Sequence, residues 1–303
     1  MKRVVITGAT GTIGTALIKD LIENNIEVLV ICRESSSRNS NIPNHGLITK
    51  AFCSLDKLSS FSNPTNLNYD VFYHFAWEGT FGDSRNDVDL QYFNVKYALD
   101  AVKLAARLGC HTFIGAGSQA EYGRCNEKLN ATTPVAPENG YGIAKLSAGL
   151  MTRELAHQLG LRHIWVRILS VFGPNDGPNT LVMSTIRMLK NGEMPQVTKG
   201  EQMWDYLFSE DAAKAFRYIG LYGKDGKVYP LGSGKDRLLS DYIKIIRDVV
   251  NPDAEIAFGA VPYNEKQTMY LCADISELVF DTGWSPKTEF RKGIQIIIDN
   301  MYT

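Results

Sequence analysis

The chain lacks any apolar run near the roughly 18 residues that a membrane span requires. Behind its charged opening, Met1-Lys2-Arg3, the stretch Val4-Val5-Ile6 is too short for a secretory leader. No membrane partner is expected. An excess of one charge is also missing: 32 basic and 33 acidic residues are mixed along the length, so no basic stripe exists to follow a phosphate backbone. Nucleic acid is not expected as a partner. Cysteine is sparse and odd in number, with Cys32, Cys53, Cys110, Cys125 and Cys272 scattered as free thiols of a reducing cytoplasm would be, not as a disulfide framework. The histidines fall nowhere at ligand spacing with cysteine or acidic residues, and no protein-bound metal is expected.

What the chain has is apolar content: 44% of 303 residues, enough to bury a large core in one or two domains. Short runs rich in β-branched and aromatic residues, at 3–7, 26–31, 47–52, 71–75, 112–116 and 163–168, alternate with longer helical patterns. That alternation predicts βαβ units. Val4-Val5-Ile6 and Val28-Leu29-Val30-Ile31 are continuously apolar, as strands of a parallel sheet are when helices cover both faces. The predicted class is α/β, with a doubly wound parallel sheet of the Rossmann type over 1–172 and a smaller C-terminal substrate-binding lobe over 173–303. Parts of about 205–231 are free to return to the first domain. After Phe172-Gly173-Pro174 the rhythm breaks, and Pro, Gly and shorter segments lead to a last helix near 290–301. The stretches 90–108 and 141–158 are apolar on nearly every side. Leu99, Val102, Ala106, Leu150 and Met151 are not expected all to face the sheet, which predicts a homodimer joined by a four-helix bundle.

The first chemical signal is Gly8-Ala9-Thr10-Gly11-Thr12-Ile13-Gly14, placed after a strand and opening a helix with Ile13, Leu17, Ile18 and Leu21 as its predicted buried face. A backbone without Cβ atoms can approach a dinucleotide pyrophosphate, whose charge then sits among the free N–H groups of the helix N-terminus. An acid at the end of the second strand accepts hydrogen bonds from the adenosine ribose of NAD. Cys32 stands there, followed by Arg33 and, after Glu34 and three serines, Arg38. A guanidinium suits a 2′-phosphate. NADP is the expected cofactor, with NAD as the alternative.

Tyr141 and Lys145 lie four residues apart, on one face of a helix. A free phenol, with a pKa of about 10, exchanges protons poorly near neutrality unless a cation stabilises its phenolate. Lys145 is that cation. Tyr92 and Lys96 have the same spacing, but only Tyr141 is preceded by a strand ending in Gly117-Ser118.

These motifs, with Tyr73-His74-Phe75-Ala76, Asn94-Val95, Ser118-Gln119-Ala120-Glu121-Tyr122-Gly123, Arg167 leading to Val171-Phe172-Gly173-Pro174, Trp204-Asp205-Tyr206 to Asp211, and Gly283-Trp284-Ser285-Pro286, run almost end to end. Together they resemble the extended short-chain dehydrogenase/reductase family of nucleotide-sugar 4-epimerases, 4,6-dehydratases and 4-ketoreductases. The resemblance implies that Ser118 binds the substrate oxygen, that Tyr141 transfers the proton and that Lys145 also grips the nicotinamide ribose. It implies further cofactor contacts at Ala76 and Asn94, and substrate contacts at Trp77, Gln119, Ser170 and Trp204. Dehydratases of the family carry Asp and Glu after the catalytic hydroxyl, where this chain has Gln119 and Ala120, with Glu121 one position out of place. Elimination chemistry then lacks its acid and base. Epimerases carry Asn and Arg where Ser170 and Trp204 stand, leaving Arg187, Lys199, Arg237 and Lys266 as cations on hand for a diphosphate. The expected activity is NADPH-dependent reduction of a nucleotide-linked 4-keto-6-deoxy sugar. The alternatives are an NAD-dependent C4 epimerase and, from another class, a non-catalytic dinucleotide sensor.

Overall fold

The structure is a computed structural model that describes residues 1–301. Strand β1 (Arg3–Thr7) is followed by α1 (Thr12–Glu23), β2 (Glu27–Cys32), β3 (Ile48–Phe52), β4 (Val71–His74), α2 (Val88–Arg107), β5 (Thr112–Ser118), α3 (Gly140–Gln158) and β6 (Arg162–Ile168). Next come β7 (Ser170–Phe172), α4 (Leu181–Lys190), β8 (Gln196–Val197), β9 (Met203–Trp204), β10 (Tyr206–Phe208), α5 (Ser209–Tyr222) and β11 (Val228–Leu231). The chain ends with β12 (Arg237–Leu238), α6 (Leu239–Val250), β13 (Ala257–Phe258), β14 (Tyr270–Leu271), α7 (Ser276–Thr282) and α8 (Phe290–Asn300). Among the described residues, no helix is long and apolar enough to cross a membrane.

Seven parallel strands form the main sheet in the order β11-β6-β5-β4-β1-β2-β3. Alternate residues of one strand enter two different cores. Val4 and Ile6 of β1 pack toward α1 and α5, while Val5 packs toward α2. Both faces are dry, which is why the strands read as unbroken apolar runs. The strand order reverses between β1 and β4, and the crevice outside the carboxyl ends of these strands is where doubly wound sheets bind ligands. Strand β11 lies beyond residue 172 yet pairs with β6 at the sheet edge, and α5 packs on α1, so this stretch sits with the first domain in space.

The lobe has its own core, in which Phe172, Phe208, Tyr242 and Phe290 meet Ile186 and Ile294. Two details differ from expectation. Val102 is fully buried because α2 packs on the sheet with that side, so it is no part of an outer face. Ile13 is only partly buried, since the first turn of α1 opens onto the cleft and the helix core begins at Leu17.

Candidate functional site

The loop from β1 to α1 brings the backbone close to the next strand. A Cβ on Gly8, whose φ is +73°, would stand 2.5 Å from Ala76 N, and one on Gly14 would stand 2.5 Å from Gly8 O. Gly11 is different: its Cβ would meet nothing nearer than Gly8 O at 3.7 Å. No protein atom requires a glycine there, and the space it leaves faces the groove. Gly11 is also the N-cap of α1 and places no side chain over the helix end. Open space beside uncapped N–H groups fits a pyrophosphate.

Two joined cavities run from this loop. One, of about 310 Å³, is lined by Thr10, Cys32, Arg33, Arg38 and Ala76 at the far end of β2. The other, of about 340 Å³, is lined by Thr12, Ile13, Gln119, Tyr141 and Lys145, and Gly8, Gly11 and Trp77 belong to both. The expected cofactor residues thus meet in one groove, with Asn94 as the exception. Its side-chain oxygen accepts from Glu78 N at 3.0 Å and its amide donates to Glu78 O at 2.9 Å, so it clamps the loop after β4 from beneath. Arg33 meets an acid: its guanidinium lies 3.5 Å from the Glu78 carboxylate. Arg38 donates to Asn175 O at 2.8 Å and lines both cavities.

The reaction end is built where β5 runs out and α3 begins. Asn139 caps α3 by accepting from Gly142 N at 2.8 Å, which sets Tyr141 in the first turn and Lys145 one turn on. Lys145 is buried and donates to Ala116 O at 2.7 Å. Burial pushes its ammonium down to about 7, against a smaller upward pull from Glu121. Burial also raises the Tyr141 phenol, and a hydrogen bond with Ser118 and the charge of Arg85 act in the opposite direction. The Arg85 guanidinium lies over the Tyr141 ring at 4.4 Å. Nothing in the sequence singled out Arg85, which sits in a short 3-10 turn over Gly82–Asn86 and reaches Tyr141 only through the fold.

Glu121 is consumed by the core. Its Oε1 accepts from Ser118 N at 2.8 Å and from Trp165 Nε1 at 3.0 Å, and its Oε2 accepts from Arg167 Nε at 2.7 Å, all out of solvent. Ser170 and Trp204 find each other, with Trp204 Nε1 donating to Ser170 Oγ at 2.8 Å. Trp204 lines a separate lobe cavity of about 350 Å³ together with Leu181, Val197, Gln202 and Ile243. The cations expected near a diphosphate do not gather there: Arg187 donates to Pro178 O and Arg237 lines another cavity. Among the described residues, no cluster of His, Cys, Asp and Glu forms a metal site.

The family model of the "NAD dependent epimerase/dehydratase family" matches residues 4–232. The chain is 25% identical to a trifunctional UDP-glucose 4,6-dehydratase/UDP-4-keto-6-deoxy-D-glucose 3,5-epimerase/UDP-4-keto-L-rhamnose-reductase of Arabidopsis thaliana, over 98% of this chain and 46% of that protein. It thus spans about half the length of that plant relative. To CDP-abequose synthase of Salmonella typhimurium it is 24% identical over 98% of both chains. A solved UDP-N-acetylglucosamine 4-epimerase from Methanobrevibacter ruminantium, in complex with UDP-N-acetylmuramic acid, has the same fold, with a TM-score of 0.87 at 24% identity over 99% of both chains.

Proposed function

The chain belongs to the NAD dependent epimerase/dehydratase family, whose members are enzymes, and from that premise we propose that it reduces the 4-keto group of a nucleotide-linked 6-deoxy sugar with NADPH. The reading is carried by Glu121. Its carboxylate is tied to Arg167, Trp165 and the Ser118 backbone, so the acidic residue nearest the reacting hydroxyl is not free to remove water from a sugar. Oxidoreduction is the chemistry left to Ser118, Tyr141 and Lys145.

When bound, the cofactor supplies the hydride. The Ser118 hydroxyl donates a hydrogen bond to the ketone oxygen, Tyr141 gives that oxygen its proton, and the Lys145 charge makes the phenol a stronger acid. The reading of NADPH is supported by Arg33 and Arg38, which line the cavity at the far end of β2, a strand that ends in Cys32 and not in an acid. A second reading, an NAD-dependent C4 epimerase, is favoured by one contact: Glu78 sits on Arg33 and offsets its charge. Purified protein separates the two. The reductase consumes NADPH stoichiometrically with one of a panel of 4-keto-6-deoxy sugar nucleotides. An epimerase carries tightly bound nucleotide through purification and turns over without added reductant.

The same proposal includes a homodimer. Tyr92 and Phe93 of α2 and Ile143, Leu150 and Met151 of α3 are exposed on two helices that pack side by side, and a second copy covers such a face by an isologous contact. Sedimentation at micromolar concentration is expected to give the mass of two chains. A monomer would remove this part.

A further inference from the structure

The segment from Trp77 to Asn86 has no chemical role in the scheme above beyond Glu78 on Arg33, yet it reaches both members of the reacting pair. The Lys145 Nζ sits 3.8 Å from the centroid of the Trp77 ring. The same indole stands edge-on to Tyr141, with centroids 6.1 Å apart at 86°, and the Arg85 guanidinium of the same segment lies over the phenol ring at 4.4 Å. Each of the two rings thus has a cation over it. We propose that Trp77 is a positioning residue for Lys145, holding the ammonium in place and charged against the face of its indole. The inference rests on the reading of Tyr141 and Lys145 as the reacting pair.

The indole is itself held. Trp77 Nε1 donates to Gln91 Oε1 at 2.9 Å, and the Gln91 amide donates to Gly79 O at 2.9 Å and Ser84 O at 3.0 Å, so one buried glutamine of α2 fixes the ring and the loop that carries it. At the loop's end, Asn86 Oδ1 accepts from Gly140 N, the residue before Tyr141. Such rigidity matters because an ammonium has three donors and no preferred plane. One donor goes to Ala116 O and a second side meets the indole, which leaves the remainder for the cleft that Lys145 lines.

A cation over an aromatic face is stabilised by the ring quadrupole, and more so away from water. Four other groups bear on Lys145. Glu121 favours its charge, His74 lies close enough to feel it and is held neutral mainly by burial, the Tyr141 ring is 5.7 Å away, and the Arg85 guanidinium lies over that same ring. Burial drives the ammonium down to about 7, and in the proposal the ring face 3.8 Å away works against that shift. Without the indole the proton is therefore lost at lower pH. Activity needs the charged form, so the alkaline limb of the kcat profile in Trp77→Leu is expected to move about one unit toward acid. Trp77→Phe keeps a ring face and restores most of that shift.

The contact can also be read without substrate. In the cofactor-free protein, the fluorescence difference between wild type and Trp77→Phe should titrate once near neutrality, and Lys145→Met should abolish that titration. A flat difference, or a Trp77→Leu enzyme that is slower with an unmoved alkaline limb, overturns the proposal and leaves the loop as packing. If no keto-sugar nucleotide is turned over, the functional reading falls and the fluorescence titration alone decides whether Trp77 holds Lys145.

Discussion

The wall of the groove in the Rossmann half and the wall of the separate cavity in the lobe are made of different material. On the first, main-chain N–H groups at Gly11 and α1 face the groove, and the side chains around them include Arg33, Arg38 and Lys145. On the second, Leu181, Val197, Trp204 and Ile243 line the cavity with the amides of Gln196, Gln202 and Gln267, and the lining has no charged side chain among the described residues. Charge on one side and apolar area on the other divide the labour. The first wall can stabilise charge that develops during reaction, whereas the second can only add binding that is the same before and after. Substitutions on the first should therefore change kcat or cofactor choice, and those on the second should change KM.

The sharpest way to break that division is Tyr141→Phe. If the phenol acts in proton transfer as proposed, turnover is expected to fall by about 10²- to 10⁴-fold while cofactor affinity stays within about twofold. Tyr92→Phe, at a residue 66% exposed on the outer face of α2, should keep wild-type activity. A Tyr141→Phe enzyme that turns over normally, or that fails because it no longer binds cofactor, would sink the assignment.

Glu121→Ala sharpens the comparison from below the first wall. It leaves the Arg167 guanidinium buried, without its carboxylate and with Nη1 already lacking a partner. Breaking a buried pair in this way costs about 3–5 kcal/mol, which urea unfolding would register as a lower midpoint with an unchanged slope. Stability within about 1 kcal/mol of wild type would mean that Glu121 is not committed to the core, and elimination chemistry would have to be reconsidered.

Legibility in the sequence follows the same division. Strands such as β1, β2 and β4 could be read because strands buried on both faces are apolar runs, a pattern that survives without knowledge of the neighbours. The edge strand β3 exposes Thr49, Lys50 and Phe52 and was legible only from its β-branched and aromatic content. The glycine loop and the Tyr141–Lys145 pair were legible as short spacings and Ser118 through the family resemblance, and the fold brings all of them to one cavity. What could not be read depends on distant partners. Trp284 Nε1 donates to Asp211 O at 3.1 Å, and Asp211 accepts from Thr288 N at 2.7 Å, which joins two motifs that look independent along the chain. Glu121 meets Arg167 and Trp204 meets Ser170 in the same way. The resemblance makes Asn94 a cofactor contact, whereas the fold uses it as a clamp on Glu78 outside the groove lining, because its partner is backbone and leaves no trace in side-chain identity.

Cofactor choice is a smaller effect and belongs wholly to the first wall. Arg33 is exposed and meets Glu78 at 3.5 Å, so a 2′-phosphate must compete with a carboxylate for it. A charge-assisted bond of about 1.5–3 kcal/mol corresponds to a roughly ten- to hundredfold preference for NADPH over NADH. Cys32→Asp with Arg33→Ala should reverse that preference in a fluorescence titration, since the new carboxylate binds the ribose diol and repels the phosphate. Glu78→Gln should strengthen NADPH binding alone. Equal affinity for both cofactors in the wild-type chain would make Arg33 a loop residue and move the epimerase to first place.

The smallest expected effect lies on the second wall, at Trp204. Its indole forms part of the apolar lining, and its N–H is spent on Ser170 and not on a ligand. If the lobe holds a nucleotide by surface contact, Trp204→Ala should raise the KM of the sugar nucleotide roughly three- to tenfold and leave kcat within about twofold, as the loss of uniform binding does. Trp204→Phe keeps a ring but frees the Ser170 hydroxyl, so it separates packing from anchoring. A KM close to wild type in Phe and raised in Ala assigns the effect to the ring. Trp204→Arg then asks whether a cation can replace it: a guanidinium there gains a diphosphate only if the phosphates lie within its reach, and KM would fall. A KM that rises as in Trp204→Ala keeps the two walls distinct. A kcat that falls at constant KM in any of the three would mean that the lobe wall also acts on the reacting centre.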